Sequence, residues 1–462
     1  MQLEDIKSPF DGAIVGQAPI ASLASVDSAI AKAVTGADLW RQTPAHIRSA
    51  VLMKAAALAD ERSEEIAQII SGENGKSLLE ARGEASRSGE IIRLAAFEGS
   101  QLYGSTLPLD ANKGTGLEKL GFTMRQPVGV VVAITPFNYP ALLVLHKVAP
   151  SLAVGNSVLL KPARTTPLTA LAIAKCFADA GLPDGVLQVL HGSGSELGDA
   201  LVSDSRVRKI SFTGSTATGT HISSVAGVKK LSLELGSSCP VVVLDDADIE
   251  YATDAIALGG YINAGQVCIS VQRVIVDKKV MGNFLDALKP KVEAIKIGDP
   301  KAADTKVGTL ISQGEAIRVE AAIKQAVKDG ATLLTGGARD KTLITPAIVC
   351  GVDPKSAFAQ DELFGPAIAV SSADGIKEAI GLVNSTVYGL GAGVFTKSVD
   401  VAIQSAREID AGIIHINWTP LWRADLMPYG GLKSSGVGKE GVRSTVTEMT
   451  EEKTIILHGR SW

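Results

Sequence analysis

Cys268 is one of four cysteines in this 462-residue chain and stands in NAGQVCIS, with Gly265 and Gln266 ahead of it. Small and polar neighbours, instead of a helical apolar stripe, suit a thiolate that must be reached by a carbonyl carbon. The same thiol also fits inert packing, the commoner fate of a free cysteine. Glu234 lies in LSLELGSSCP, a carboxyl inside an otherwise apolar run. Buried, its pKa would rise toward neutrality and suit a general base; at a sheet edge it would hold an ion pair. No histidine stands at a telling spacing from Cys268, so a Cys-His hydrolase has little support. Cys176, Cys239 and Cys350 read as packing residues. Without a CxxC pair, neither a disulfide framework nor a zinc site is expected, and no metal.

A second set of residues could hold a phosphate. FTGSTATG (212–219) brings Gly214 and Ser215 to the start of an expected helix, where free backbone N–H groups attract anions. HGSGSELG (191–198) is another glycine-rich turn, but its spacing is not that of the dinucleotide fingerprint. Lys161 ends a strand-like run, SVLLK, where a ribose or phosphate could lie. By themselves these segments fit ordinary turns equally well.

The elements that must position these residues alternate. Residues from about 24 to 100 read as helices, rich in Ala, Leu, Glu and Arg with apolar side chains every three or four positions. From Val128 the chain becomes VGVVVAIT, then a helical ALLVLHKVAPSLAVG, then SVLL, then TTPLTALAIAKCFADAG. Strand and helix alternating in this way make βαβ units, so the fold class is α/β with parallel sheets covered by helices. A second α/β series starts near Pro240 and runs to about residue 435. Ligands of such sheets sit beyond the carboxyl ends of the strands. Those ends here carry TPFNYP, KPARTTP and FTGSTATG.

Composition narrows the class of function. Apolar residues make up 46% and charged residues 20%, a globular profile, and the net charge of −4 offers no footprint for nucleic acid or an anionic membrane. The first residues, MQLEDIKSPFDG, lack an apolar signal core, and no run is long enough to span a bilayer. A cytoplasmic protein with reduced thiols is expected.

Taken in order, ITPFNYP (134–140), LLKPA (159–163), FTGSTATG (212–219), LELG (233–236), NAGQVC (263–268), DELFGP (361–366) and MPYGGLKSSGVGKEG (427–441) resemble the aldehyde dehydrogenase superfamily over nearly the whole chain. The separation of Glu234 from Cys268 is also close to the family's usual one. The resemblance implies a Rossmann-like cofactor domain (1–104 and 128–236), an α/β catalytic domain (237–436) and a small β oligomerisation element (105–127 and 437–462). It implies NAD or NADP as cofactor and oxidation of an aldehyde through a cysteine thiohemiacetal and thioester. Cys268 would be the nucleophile, Glu234 the base that activates water, and Asn138 with the Cys268 N–H the oxyanion donors. Lys161 and Glu362 would hold the riboses, Phe364 the nicotinamide ribose, and Gly214 and Ser215 the pyrophosphate. Thr135, Pro136, Phe137 and Leu235 would complete the cofactor's surroundings.

The departures from the family pattern are Phe137 for a common tryptophan, Ser237 for a second glycine, and Arg164 where NAD-preferring members often carry glutamate. An arginine there could pair with a 2′-phosphate, so NADP is an expected cofactor. Leu142, His146, Val267, Ile269 and the segment 417–431 would line the substrate tunnel. His146 and Arg423 are its basic candidates, and Trp418 and Trp422 its walls. A small polar or anionic aldehyde is therefore expected, although Val267 contributes no charge. A CoA-acylating enzyme is the alternative, against which stands the presence of Glu234. The segment 105–127 would form a β-hairpin and the strand-like TEEKTIILHG could pair across a subunit boundary, giving a homodimer or homotetramer.

Overall fold

The computed structural model of the chain describes residues 2–459. Met1 and residues 460–462, the ends of two expected domain segments, lie outside the described residues. One parallel sheet has six strands in the order Gly436–Val437, Lys230–Glu234, Val207–Thr213, Val130–Ile134, Ser157–Lys161, Leu187–Val189. All neighbours run parallel except Gly436–Val437, which is antiparallel. Val131, Val132, Ala133, Val158, Leu159 and Leu160 are fully buried, because helices cover both faces of these β-branched runs.

The chain moves outward from Val130–Ile134 through Ser157–Lys161 to Leu187–Val189, then returns to the other side of its first strand. That reversal parts the connections above Val130–Ile134 and Val207–Thr213 and opens a crevice at their carboxyl ends. Thr135–Asn138 and Gly214–Ser215 are the residues that follow these two strands.

The second sheet has seven strands, Thr332–Thr335, Ala347–Cys350, Ala367–Ala373, Arg273–Asp277, Pro240–Val243, Gly391–Phe395 and Ile413–Ile416, parallel except for the first. The fold is thus the α/β class expected. A third sheet joins Thr450–His458, Lys119–Pro127 and Thr106–Leu107. Thr450–His458 pairs along its whole length with Lys119–Pro127 of its own chain, since the helix Val442–Glu448 returns the chain to that strand. Its other edge has no partner strand among the described residues. Among the same residues no helix is long and apolar enough to cross a membrane.

Five helices, Leu23–Gln42, Ala45–Glu61, Ser63–Asn74, Leu78–Ala85 and Ser88–Gly99, wrap the first sheet, behind an N-terminal hairpin of Leu3–Lys7 and Ile14–Pro19. Gly36 lets the first of them touch backbone. A Cβ there would stand 2.6 Å from the Gly185 carbonyl. Gly83, inside Leu78–Ala85, faces open space. Alanine normally favours a helix over glycine by about 1 kcal/mol, so the two sites separate propensity from packing. Gly36→Ala is expected to lower the melting temperature, with an overpacking cost of roughly 1–3 kcal/mol, and Gly83→Ala to keep or raise it. Calorimetric melting of both variants checks this.

Candidate active site

The segment before Cys268 is a strained turn. Asn263, Ala264 and Gly265 have φ of 49°, 55° and 71°, three successive left-handed residues between the helix Ile249–Tyr261 and the strand Arg273–Asp277. Such backbone costs on the order of 1–3 kcal/mol per non-glycine residue and persists only where surroundings enforce it. Glycine is obligatory at 265, because a Cβ would lie 2.2 Å from the Gly365 carbonyl oxygen. The turn delivers Cys268 partly exposed to a cavity, its Sγ 2.9 Å from the Tyr429 hydroxyl. Burial pushes the thiol up to about 12, against the lowering effect of the Tyr429 hydrogen bond. It therefore rests protonated. The Cys268 N–H has no acceptor among the described residues.

Asn138 follows the strand Val130–Ile134 and lines the same cavity. Its side-chain Nδ2 donates to the Gln266 carbonyl at 2.9 Å and its Oδ1 accepts from the Tyr139 N–H. One amide hydrogen is thus fixed on the nucleophile turn and the other is free to face an oxygen. Two unpaired N–H donors, on Asn138 and Cys268, can receive a developing oxyanion.

Glu234 ends the strand Lys230–Glu234 and is 3% exposed, and neither carboxyl oxygen finds a hydrogen-bond partner among the described residues. Burial, then the neighbouring Glu440 charge, raise its pKa well above the carboxylate range. Gly430 makes room for it, since a Cβ there would lie 2.7 Å from Glu234 Oε1. Glu440 behaves oppositely. Burial would raise it as well, but the Lys147 ammonium bonded to it, and Arg423, hold it low.

Arg423 stacks 4.0 Å from the Tyr429 ring centroid and approaches Glu440 at 3.6 Å. Its side chain is only 11% exposed, yet among the described residues Nε and Nη2 have no hydrogen-bond partner. The cavity, about 90 Å³, is lined by Asn138, Leu142, His146, Glu234, Val267, Cys268, Ile269, Arg423 and Tyr429, among others. That is several water molecules' worth of space, fit for a small compound.

Two expected substrate residues differ. Trp418 is not among the lining residues. The chain turns at Asn417, φ 57°, and its indole packs against the Tyr251 ring at 5.5 Å. Trp422 is exposed and meets the His415 ring. His146 does line the cavity but is no cation at neutral pH: burial, then Arg423, push it down to about 4. Its Nε2 faces Asp425 at 3.2 Å.

On the far side of the switch point a cleft of about 550 Å³ is lined by Ile134, Lys161, Ser195, Phe212, Thr218 and their neighbours. Lys161 is 5% exposed at its strand end, and burial depresses its pKa. Ser215 caps the helix Thr216–Val225 by accepting from the Thr218 N–H, and a Cβ on Gly214 would collide with the Phe212 ring. Leu235 packs over Gly219 of that helix, and the Thr135 N–H donates to the Lys161 carbonyl. Glu362 accepts from the Ser237 N–H at 2.9 Å, and burial raises it to about 7. Phe364, at φ 50°, meets Phe137 edge to face at 5.9 Å, beside Pro136. Arg164 is paired with Glu4. A buried lysine, a capped helix N-terminus and an anchored carboxyl around one crevice are the donors and acceptors that a dinucleotide requires, so these residues fit NAD or NADP.

Sequence reasoning passed over Tyr429, Lys147 and Glu440, although Tyr429 and Glu440 lie inside the quoted MPYGGLKSSGVGKEG. It also passed over Lys76, Glu80 and Glu84. Lys76 donates to the Asn138 carbonyl at 2.6 Å, and Glu80 accepts from the Asn263 N–H at 2.7 Å. A lysine and two glutamates so close together in a helical stretch read as a solvated face, and only their burial betrays them.

A sequence model of the aldehyde dehydrogenase family matches residues 2–455. The chain is 45% identical over 411 residues to a 3-sulfolactaldehyde dehydrogenase of Priestia aryabhattai, covering 89% of this chain and 86% of that protein. It is 35% identical to a lactaldehyde dehydrogenase of Methanococcus aeolicus, covering 98% and 97%. The crystal structure of the glyceraldehyde-3-phosphate dehydrogenase GapN from Methanocaldococcus jannaschii, complexed with NADP, superposes with a TM-score of 0.94 at 37% identity, covering 98% of each chain. With a thiol, an unpaired carboxyl and free N–H donors around one cavity beside a dinucleotide-sized cleft, the chain belongs to the aldehyde dehydrogenase family and is an NAD(P)-dependent aldehyde dehydrogenase.

Proposed function

We propose that this enzyme oxidises a small aldehyde carrying an anionic group to the corresponding carboxylic acid, with Arg423 as the anchor for that group. The observation that carries this reading is the Arg423 guanidinium, largely buried with two unpartnered nitrogens in the cavity that also holds Cys268. A buried guanidinium without a full complement of acceptors favours a ligand that supplies them. The substrates named for the sulfolactaldehyde and lactaldehyde relatives are small and polar, in keeping with the cavity's size.

In this reading Cys268 attacks the aldehyde carbon as its proton leaves, with the Glu234 carboxylate the nearby acceptor, a stronger base for its raised pKa. The carbonyl oxygen, becoming an oxyanion, is received by the Asn138 amide and the Cys268 N–H. NAD or NADP, when bound, supplies the hydride acceptor. Lys161 and Glu362 would hold its riboses, Gly214 and Ser215 its pyrophosphate, and Phe364 its nicotinamide ribose, with Thr135, Pro136, Phe137 and Leu235 as walls. Glu234 gives up the thiol proton to solvent, then takes one from the water that attacks the thioester left on Cys268, and passes it to the departing thiolate, which restores the thiol as the acid is released.

Replacing Glu234 by Gln slows attack, whose thiol proton must then leave to water, and removes the base for hydrolysis, which becomes the slowest step. A pre-steady-state burst of reduced cofactor followed by turnover slowed on the order of 100-fold is expected, with the acyl-enzyme visible by mass spectrometry. A steady-state rate equal to that of wild type would overturn the assignment. Arg423→Gln is expected to raise KM for an anionic aldehyde by roughly 10–100-fold, while kcat/KM for propanal changes less than about threefold. Equal losses on both substrates would refute the anchor. Because the free enzyme's thiol titrates at about 12, its thiolate fraction grows about tenfold per pH unit below that value. Inactivation by iodoacetamide, read against Cys268→Ser, should accelerate steadily between roughly pH 6 and pH 9. A plateau in that range would contradict the raised pKa.

A further inference from the structure

The N-terminal hairpin reaches the adenosine side of the cofactor cleft through one side chain. Glu4, in the strand Leu3–Lys7, places Oε1 2.6 Å from Nη2 and 2.8 Å from Nε of Arg164. Its other oxygen, Oε2, lies 2.8 Å from Nε2 of His191, an imidazole 1% exposed. The isolated bridge between Ile20 and His191 ties the hairpin's exit to the same spot. Glu4 is therefore pinned from behind and directed at Arg164, whose side chain remains 64% exposed.

Arg164 follows Lys161 by three residues, just past the strand that neighbours Val130–Ile134. In sheets of this kind the residues after the second strand read the ribose 2′ position. A carboxylate there accepts the 2′-hydroxyl of NAD, and an arginine pairs with the 2′-phosphate of NADP. This chain brings both groups to one place and bonds them to each other. Of the five N–H donors of the guanidinium, Glu4 engages the Nε edge and leaves the Nη1 side open.

We propose that Glu4 sets the discrimination between NADP and NAD, by neutralising Arg164 and occupying part of its donor edge before the 2′-phosphate arrives. This rests on reading Lys161 and Arg164 as the ribose-facing residues. The 2′-phosphate is drawn to the guanidinium and repelled by the carboxylate beside it, whereas the uncharged 2′-hydroxyl of NAD is nearly indifferent to both. Glu4 thus holds back NADP affinity and keeps NAD competitive. Glutamine at this position preserves the shape and removes the charge. Against a phosphate held by the neighbouring guanidinium in largely aqueous surroundings, that change would be worth roughly five- to tenfold in affinity.

Isothermal titration of the full-length enzyme with NADP and with NAD tests this without turnover, using wild type, Glu4→Gln, Arg164→Gln and the double variant. Glu4→Gln should tighten NADP roughly five- to tenfold and leave NAD within about twofold. Arg164→Gln should weaken NADP, and in that background Glu4→Gln should still tighten NADP, because the carboxylate repels the 2′-phosphate directly. If Arg164→Gln weakens NADP while Glu4→Gln leaves it unchanged or weaker, the role of Glu4 is refuted and the placement of Arg164 stands. If neither substitution moves NADP, the placement itself is wrong and the inference falls with it. Glu4→Ala, with melting temperatures for all variants, shows whether loss of the hairpin's packing mimics the charge effect. Equal weakening of both cofactors in it and in Glu4→Gln would count against the proposal.

Discussion

The ammonium of Lys76 and a carboxylate oxygen of Glu84 meet 2.7 Å apart with neither side chain more than 1% exposed. Two charges withdrawn so completely from water are costly unless every remaining donor and acceptor is used. Here they are used on the active site. Lys76 also donates to the Asn138 carbonyl, and the second oxygen of Glu84 accepts from the N–H groups of Ala141 and Leu142, at the start of the helix Leu142–Ala153. Glu80, one turn earlier on the same short helix, takes the Asn263 N–H. A single helix, Leu78–Ala85, thereby grips the loop that carries Asn138 and the left-handed turn that carries Cys268. The strain in that turn, with Ala264 at φ 55°, is sustained by these bonds and by Gln266, which engages Asn263, Thr309 and Ile311. The pair matters less as stability than as a fixture between two sheets.

The second constraint is electrostatic. Glu234 and Glu440 occupy one desolvated region, and two like charges there would destabilise each other. The conflict is resolved by unequal company. Glu440 has the Lys147 ammonium and the nearby Arg423, and stays ionised; Glu234 has no bonded partner, and its proton affinity rises. Environments that push two carboxyls apart in this way divide the labour between a fixed anion and a mobile base. The same field bears on Cys268, whose thiol is protonated at rest, so that its proton must move as the carbon–sulfur bond forms.

On the roles proposed for Arg423 and Arg164, selectivity lies at the two ends of the site, an aldehyde end and an adenosine end. At the aldehyde end, Arg423 keeps part of its hydrogen-bonding capacity unspent while its ring contact with Tyr429 holds it in place. At the adenosine end, Arg164 is met by Glu4 from a strand about 160 residues earlier in the chain. One arginine is buried and short of acceptors, and the other is exposed and already paired. Their exposure decides how strongly each can prefer an anion, because water screens the second and not the first.

Much of this was legible before any coordinates. Alternating β-branched runs and amphipathic stretches led to parallel sheets, and the strand-end segments led to the crevice, because hydrophobic period and turn chemistry are local properties. Cys268, Glu234 and Lys161 were singled out by residue type against their neighbours, and Asn138 by the family resemblance. What the sequence could not decide was which distant side chains share one space. Lys147 meets Glu440, Lys76 meets Asn138, and Cys268 meets Tyr429 only after the sheets pack, and no periodicity announces such pairs. For the same reason Trp418, near in sequence to the substrate loop, lies on Tyr251. Local spacing determined the elements and the reactive groups; tertiary packing alone decided which charges lost their water, and therefore which groups hold protons and which ones bind anions.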